Sequence, residues 1–199
     1  MSPILGARGG LSASAYGLFA PSLALNSYES ISTVTVGSGG QSSIDFTLIP
    51  STYKHLQIRV LCRSETAFTN DGILMRVGTG GTLDTTSTLW GHFLKGDGAS
   101  ATAGSRSSTN IEMIQSSGAT STAGVFGVAV IDLLDYQNTN KNKTFRSLTG
   151  VDQNGSTGEI RLMSGSYGAN TNAIDTIRFY SAFANISQYS SFALYGIKG

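Results

Sequence analysis

The sequence predicts an all-β protein: an antiparallel β-sandwich, jelly-roll-like in strand number, with an extended N-terminal arm. Three observations predict it. Apolar and polar residues alternate over short stretches, as where Leu56, Ile58, Val60 and Cys62 are set against His55, Gln57, Arg59 and Arg63. That is the period of a strand with one dry face. Clusters of Gly, Ser, Thr and Asn, the residues of turns, bound these stretches. Gly supplies 25 residues and Ser with Thr roughly a quarter of the chain, while charged residues make up only 13%, against about 25% in an ordinary soluble domain. Helix-favouring Glu, Lys and Gln are correspondingly scarce.

Met1 to Asn26 stands apart from the rest. It carries one charge, Arg8, and mixes Gly, Ala and Ser with isolated large apolar residues: Ile4, Leu5, Leu11, Tyr16, Leu18, Phe19, Leu23 and Leu25. No period of 2 or 3.6 runs through it. It is too apolar for a typical disordered tail, and a segment of this kind gains order by lying on another surface. Residues 1–27 are therefore read as a docking arm and residues 28–199 as the sandwich. Ile4, Leu5, Leu11, Tyr16, Leu18 and Phe19 are the expected anchors to a neighbouring subunit or larger assembly. A tail folded on its own domain is the alternative.

From Tyr28 the strands follow in order. Val34 and Val36 alternate with Thr33 and Thr35, Gly37 to Gly40 turns the chain, and Ile44, Phe46 and Leu48 alternate again; this reads as a hairpin. Tyr53 to Arg63 is the next strand. Asn70-Asp71-Gly72 reads as a turn, followed by a strand with Ile73, Met75 and Val77 on one face. Leu89 to Lys95 is a short aromatic strand, and Gly96 to Asn110 reads as an exposed, mobile loop. Ile111 to Ile114 is a short strand.

Gly124 to Leu134 is the most apolar run and predicts a central strand buried on both faces. Its polar tip, Gln137 to Asn142, carries three Asn and turns the chain into a return strand, Thr144 to Val151. Strands at Ile160 to Ser164, Ile174 to Tyr180 and Ser190 to Ile197 complete about ten at short spacing with no helix, the pattern of an antiparallel sandwich.

Composition excludes several functions. A net charge of +1 gives no field for nucleic acid or an anionic membrane. Cys62 is the one cysteine, so no intrachain disulfide or cysteine metal cluster is expected, and its place in the alternation predicts a buried, inert thiol. No apolar run approaches the roughly 18 residues of a membrane-crossing helix, so no membrane insertion is expected. The N-terminus lacks the basic start and apolar core of a secretory signal, which predicts synthesis in the cytosol.

Catalytic patterns are thin. His55 and His92 lie on different strands, and no Gly-x-Ser-x-Gly elbow accompanies them. Two histidines fall short of a catalytic zinc set. Asp152 to Glu159 superficially resembles a calcium loop, but Asn154-Gly155 reads more simply as a hairpin turn. Asp132 and Asp135 flank the end of the apolar strand, where a structural hydrogen-bonding role is expected. Gly78 to Gly81 opens no helix and is no phosphate cradle. No cofactor and no catalytic residue is assigned. Eight Tyr and one Trp leave room for a sugar-stacking surface.

Three stretches carry a family resemblance: SPILGARGGLSASAYG (Ser2 to Gly17), YESISTVTVGSGGQSSIDFTLIPSTYKHLQIR (Tyr28 to Arg59), and DLLDYQNTNKNKTFRSLTG (Asp132 to Gly150) together with the terminal QYSSFALYGIKG. In these the chain resembles a group of tailed-bacteriophage virion structural proteins from marine and freshwater phages, of the tail-fibre-like β-sandwich kind. The resemblance implies a non-enzymatic virion protein, made in the host cytoplasm and partnered by other tail or capsid proteins. The expected form is a tail-fibre or tail-associated homotrimer, anchored by its arm and contacting host surface glycan. A capsid decoration (cement) protein is the alternative, and a carbohydrate-binding or carbohydrate-cleaving module the second.

Overall fold

The computed structural model describes residues 27–86, 88–153 and 158–199. Within them, eight strands form one antiparallel sheet. Its spatial order is β1 (Tyr28–Thr35), β13 (Ser191–Ile197), β3 (His55–Cys62), β9 (Gly127–Leu134), β10 (Lys143–Asp152), β11 (Gly158–Tyr167), β6 (Leu89–Gly96) and β7 (Ala101–Ser108). A smaller sheet contains β2 (Ile44–Phe46), β12 (Thr176–Ser181), β4 (Asn70–Thr79), β5 (Thr82–Leu83) and β8 (Ile111–Ser117). In it β5 and β8 share one edge of β4. The all-β sandwich expected from the sequence is the observed architecture.

The two sheets bury one core between them. The larger contributes Leu56, Ile58, Val60 and Cys62 from β3, Ile131 and Leu133 from β9, and Phe192 and Leu194 from β13. The smaller answers with Ile44, Phe46, Ile73, Met75, Val77, Ile177 and Phe179. The Phe179 and Phe192 rings meet across the interface with centroids 5.5 Å apart. Where β8 crosses the larger sheet the approach is closer still. The Gln115 N–H donates to Thr149 Oγ1 at 2.8 Å, and a side chain on Gly127 would collide with the Gln115 carbonyl. Glycine is needed there for backbone to meet backbone.

The hairpin anticipated at Gly124 to Val151 is the spine of the larger sheet. β9 and β10 pair antiparallel from Thr144↔Leu134 to Gly150↔Val128 and occupy the fourth and fifth places of eight. Its tip is tied down by buried groups. Tyr136 is fully buried, with its hydroxyl donating to the Pro50 carbonyl. Lys143 is 1% exposed; its ammonium donates to the carbonyls of Asn138, Lys141 and Thr171. Burial lowers the pKa of that ammonium below the ordinary lysine value, and the Lys141 charge adds to the effect.

Four expectations are corrected. The β9 run is buried on one face only: Ala129, Ile131 and Leu133 point inward, whereas Val128 and Val130 are exposed. Apolar residues on both faces do not ensure that both are covered within one subunit. Gly37 to Gly40 does not close a hairpin, because β1 pairs with β13 in one sheet and β2 with β12 in the other; the chain crosses the sandwich there. Asn70-Asp71-Gly72 lies inside β4, with Asp71 buried under Thr66 and Ser181. Gly96 to Asn110 contains an eight-residue strand, β7, paired with β6 from Leu89↔Ser108 to Gly96↔Ala101. Its Ala, Thr, Gly and Ser carry no apolar alternation because it borders the sheet beyond the core, and backbone pairing with β6 holds it.

The face assignment has a direct consequence for stability. Phe145→Ala, which empties a buried site on β10, is expected to cost about 3–5 kcal/mol. Thr144→Ala, one residue away on the exposed face, should stay within about 1 kcal/mol. Urea unfolding of the two variants checks this, and equal losses would mean that the register is wrong.

Candidate assembly surface on the larger sheet

Several of the described groups able to carry chemistry are engaged in holding the fold. His55 Nδ1 accepts the Asp135 N–H at 2.9 Å, and His92 points outward from β6. Asp71, the buried carboxylate of β4, accepts Thr66 Oγ1 at 2.8 Å and Ser181 Oγ at 2.7 Å. Asp84 accepts from Thr86, Thr88 and Tyr167. Burial raises its pKa, but those hydrogen bonds outweigh that and hold it below the ordinary carboxylate value. Tyr167 is pushed up to about 12 by burial, with the Asp84 charge adding to it. Arg161, 6% exposed, is clamped between Glu112 and Glu159.

Asp132 and Asp135 take the hydrogen-bonding roles expected for them. Asp132 accepts from Gln57 and Arg146, each at 2.9 Å; Asp135 is paired with Lys141. Among the described residues no three of His, Cys, Asp and Glu cluster as metal ligands. Asp152 pairs with Gly158 where β10 meets β11, and the intervening part of the calcium-like loop, 154–157, lies outside the described residues.

The unusual feature is the outer face of the larger sheet. Because the strands pair in register, outward side chains fall into straight cross-strand rows. One row runs His92, Ser164, Arg146, Asp132, Gln57, Tyr195. The next runs Leu94, Leu162, Leu148, Val130, Arg59, and the one beyond it Gly96, Ile160, Gly150, Val128, Leu61. One end of the face is thus polar and the other aliphatic. Leu94, Val128, Leu148, Ile160 and Leu162 are each more than half exposed, so a contiguous apolar surface on four strands faces outward. Monomeric domains rarely leave such a patch uncovered unless something binds it.

The polar end is a connected network. Arg59 Nε donates to Gln57 Oε1 at 3.0 Å, Gln57 to Asp132 and Arg146 to Asp132. The Arg59 guanidinium also lies over the Tyr195 and Tyr28 rings, 5.2 and 5.8 Å from their centroids. Arg59 therefore leans away from the aliphatic end toward β1. On the sheet's other border Trp90 is 44% exposed, two residues from His92 on the same face.

The expected anchors Ile4, Leu5, Leu11, Tyr16, Leu18 and Phe19 lie outside the described residues. The aliphatic band itself was not anticipated as a site. Its signal is present in the sequence as the apolar stretch Val125 to Ile131, together with Leu148, Ile160 and Leu162, whose side chains the pairing turns outward. Comparison with family models, characterised proteins and solved structures returns no match.

Two measurements probe the local chemistry. Burial pushes the Cys62 thiol up to about 12, so a thiol-reactive chromogenic disulfide should label no cysteine in the native chain and one after denaturation. Lys141 hydrogen-bonds Asp135 and holds its carboxyl below the ordinary value, against an opposing push from burial. With a depressed folded-state pKa, the tie is fully present above the unfolded value of about 3.9 and is lost as pH falls through the folded one. An NMR titration should place the Asp135 midpoint below about 3.9, and Lys141→Ala should move it up.

Proposed function

We propose that this chain is a non-enzymatic structural protein of a bacteriophage virion, a tail-fibre or tail-associated surface protein anchored to the particle by residues 1–27. The observation that carries the reading is the aliphatic half of the larger sheet's outer face. A stable body that leaves such a surface open is suited to assembly, and homo-oligomers bury surfaces of this kind. The resemblance of the Ser2 to Gly17, Tyr28 to Arg59 and Asp132 to Gly150 stretches to phage virion proteins supplies the setting. In this reading the subunits form a homotrimer, and the polar surfaces face solvent and the host.

Trp90 supports a second reading. An exposed indole beside a row of hydrogen-bonding side chains is the kind of surface that stacks on a sugar ring, as a carbohydrate-binding module would use. A capsid decoration role uses the same apolar face to cement neighbouring subunits.

Gold-labelled antibody on purified particles tests the assignment: label on the tail supports the leading reading, label over the shell supports decoration, and no label refutes both. Removing residues 1–26 should abolish incorporation while leaving a folded sandwich; normal incorporation would refute the anchor. On a glycan array, Trp90→Ala should abolish any binding that the intact chain shows.

A further inference from the structure

We propose that the aliphatic half of the larger sheet's outer face is the receptor for residues 1–26 of a second copy of this chain. The inference rests on the assembly reading above and names the partner of that surface.

The shape of the surface selects a segment rather than another flat sheet. In the outermost row Gly150 stands between Val128 and Ile160, and Gly96 follows Ile160. Two outward positions therefore carry no side chain, and the band is hollowed into a trough of about 1280 Å³. A Cβ on Gly150 would approach only the backbone of Glu159 and Ile160, so no side chain among the described residues fills the notch. A second sheet laid across the rims would leave the floor empty and forfeit its contacts. A single extended stretch with bulky side chains can reach it.

The composition of residues 1–26 fits. Ile4, Leu5, Leu11, Tyr16, Leu18 and Phe19 offer apolar groups, and the one charge, Arg8, is opposite in sign to Asp97 at the rim of the trough. Length is no obstacle. Twenty-six residues extend up to about 85 Å, whereas eight strands span about 34 Å.

The polarity of the face selects a second copy over the chain's own arm. The Lys198 N–H donates to the Ser27 carbonyl at 3.0 Å and Tyr28 pairs with Ile197, which fixes the exit of the arm at the polar end of the sheet. The direct path from that exit to its own trough lies across the Gln57–Asp132–Arg146 network. Leu18, Phe19, Leu23 and Leu25 offer no side-chain hydrogen bond to those groups, so the crossing strips them of water uncompensated. An arm from another copy enters from the open rim beside Asp97 and does not cover that network. Head-to-tail exchange of this kind closes into a ring when the rotation permits.

Complementation between full-length chains tests the inference. Leu148→Glu blocks the trough at an exposed position, and Val128→Glu, also exposed and lining it, serves as its replicate. Leu18→Glu with Phe19→Glu blocks the arm. By sedimentation velocity the unaltered chain should associate. Each blocked chain alone should associate on the order of 100-fold more weakly, because a carboxylate would have to enter an apolar contact. Circular dichroism should show both folded. Mixed in equal amounts, the two blocked chains should form a one-to-one complex, since one keeps a working arm and the other a working trough.

Absence of that complex overturns the inference. Sensitivity to the trough substitutions alone means face-to-face pairing and overturns it; so does association that survives every substitution, or an unaltered chain that stays monomeric. The particle labelling described above reports separately on the virion reading, which survives if the chain is on particles but exchanges no arm.

Discussion

The register of β10 is the constraint on which the other features depend. This ten-residue strand is paired along its length with β11, from Lys143↔Tyr167 to Asp152↔Gly158, and over seven residues with β9. A slip of one residue would exchange its two faces. Phe145, Ser147, Thr149 and Val151 would then leave the interior, and Arg146 and Leu148 would enter it. The Thr149 hydroxyl adds a second lock, donating to the Val128 carbonyl at 2.9 Å while it accepts from Gln115. One side chain therefore joins β8, β9 and β10 and holds both sheets to the same register.

That register also decides what the outside of the protein looks like. Arg146 and Leu148 are neighbours on the outer face of β10. Arg146 falls beside Asp132 and Leu148 beside Val130, so the boundary between polar and aliphatic surface runs straight across the sheet. Scattered over several faces, the same exposed leucines and valines would be ordinary surface residues. Aligned in two rows with glycines between them, they make a trough. The polar rows do the opposite work. Gln57, Asp132 and Arg146 hydrogen-bond one another, and covering them with apolar chain would cost more than it returns.

Much of this was legible in the sequence. Alternation in β3 and β4 gave the inward residues Leu56, Ile58, Val60 and Cys62, and Ile73, Met75 and Val77, because each strand turns one face to the core. The β9–β10 hairpin showed through its apolar run and Asn-rich tip. What could not be read is pairing between distant segments. The crossing at Gly37 to Gly40 looks like a hairpin because a glycine turn between two alternating stretches is locally the same whether the strands pair or part. β7 was missed because Ala101 to Ser108 has no apolar face, and its order comes from the exposed backbone edge of β6. The aliphatic band was misread as a doubly covered strand, since composition reports which faces are apolar and not which are covered.

How the chain guards its edges narrows the ways in which it can associate. An open sheet edge invites pairing with another chain unless it is blunted. β1 carries a register shift between Ser30 and Ser32, and its Glu29 is paired with Lys198 at 2.9 Å. β7, at the other end of the sheet, offers only small side chains and Arg106, which is drawn back over the Phe93 ring, 5.4 Å from its centroid. In the smaller sheet β2 is three residues long, and its Asp45 is held by Arg178 in a two-point contact at 2.6 and 2.8 Å. Each of these features makes edge-to-edge addition less favourable, and none of them touches the aliphatic trough. Negative pressure on the edges with none on one face leaves side-chain burial, rather than strand addition, as the route by which copies of this chain would be brought together. A trough built from side chains, unlike an edge, can take a partner whose backbone makes no ladder with it, and that is the kind of partner an irregular, apolar, sparsely charged segment can be.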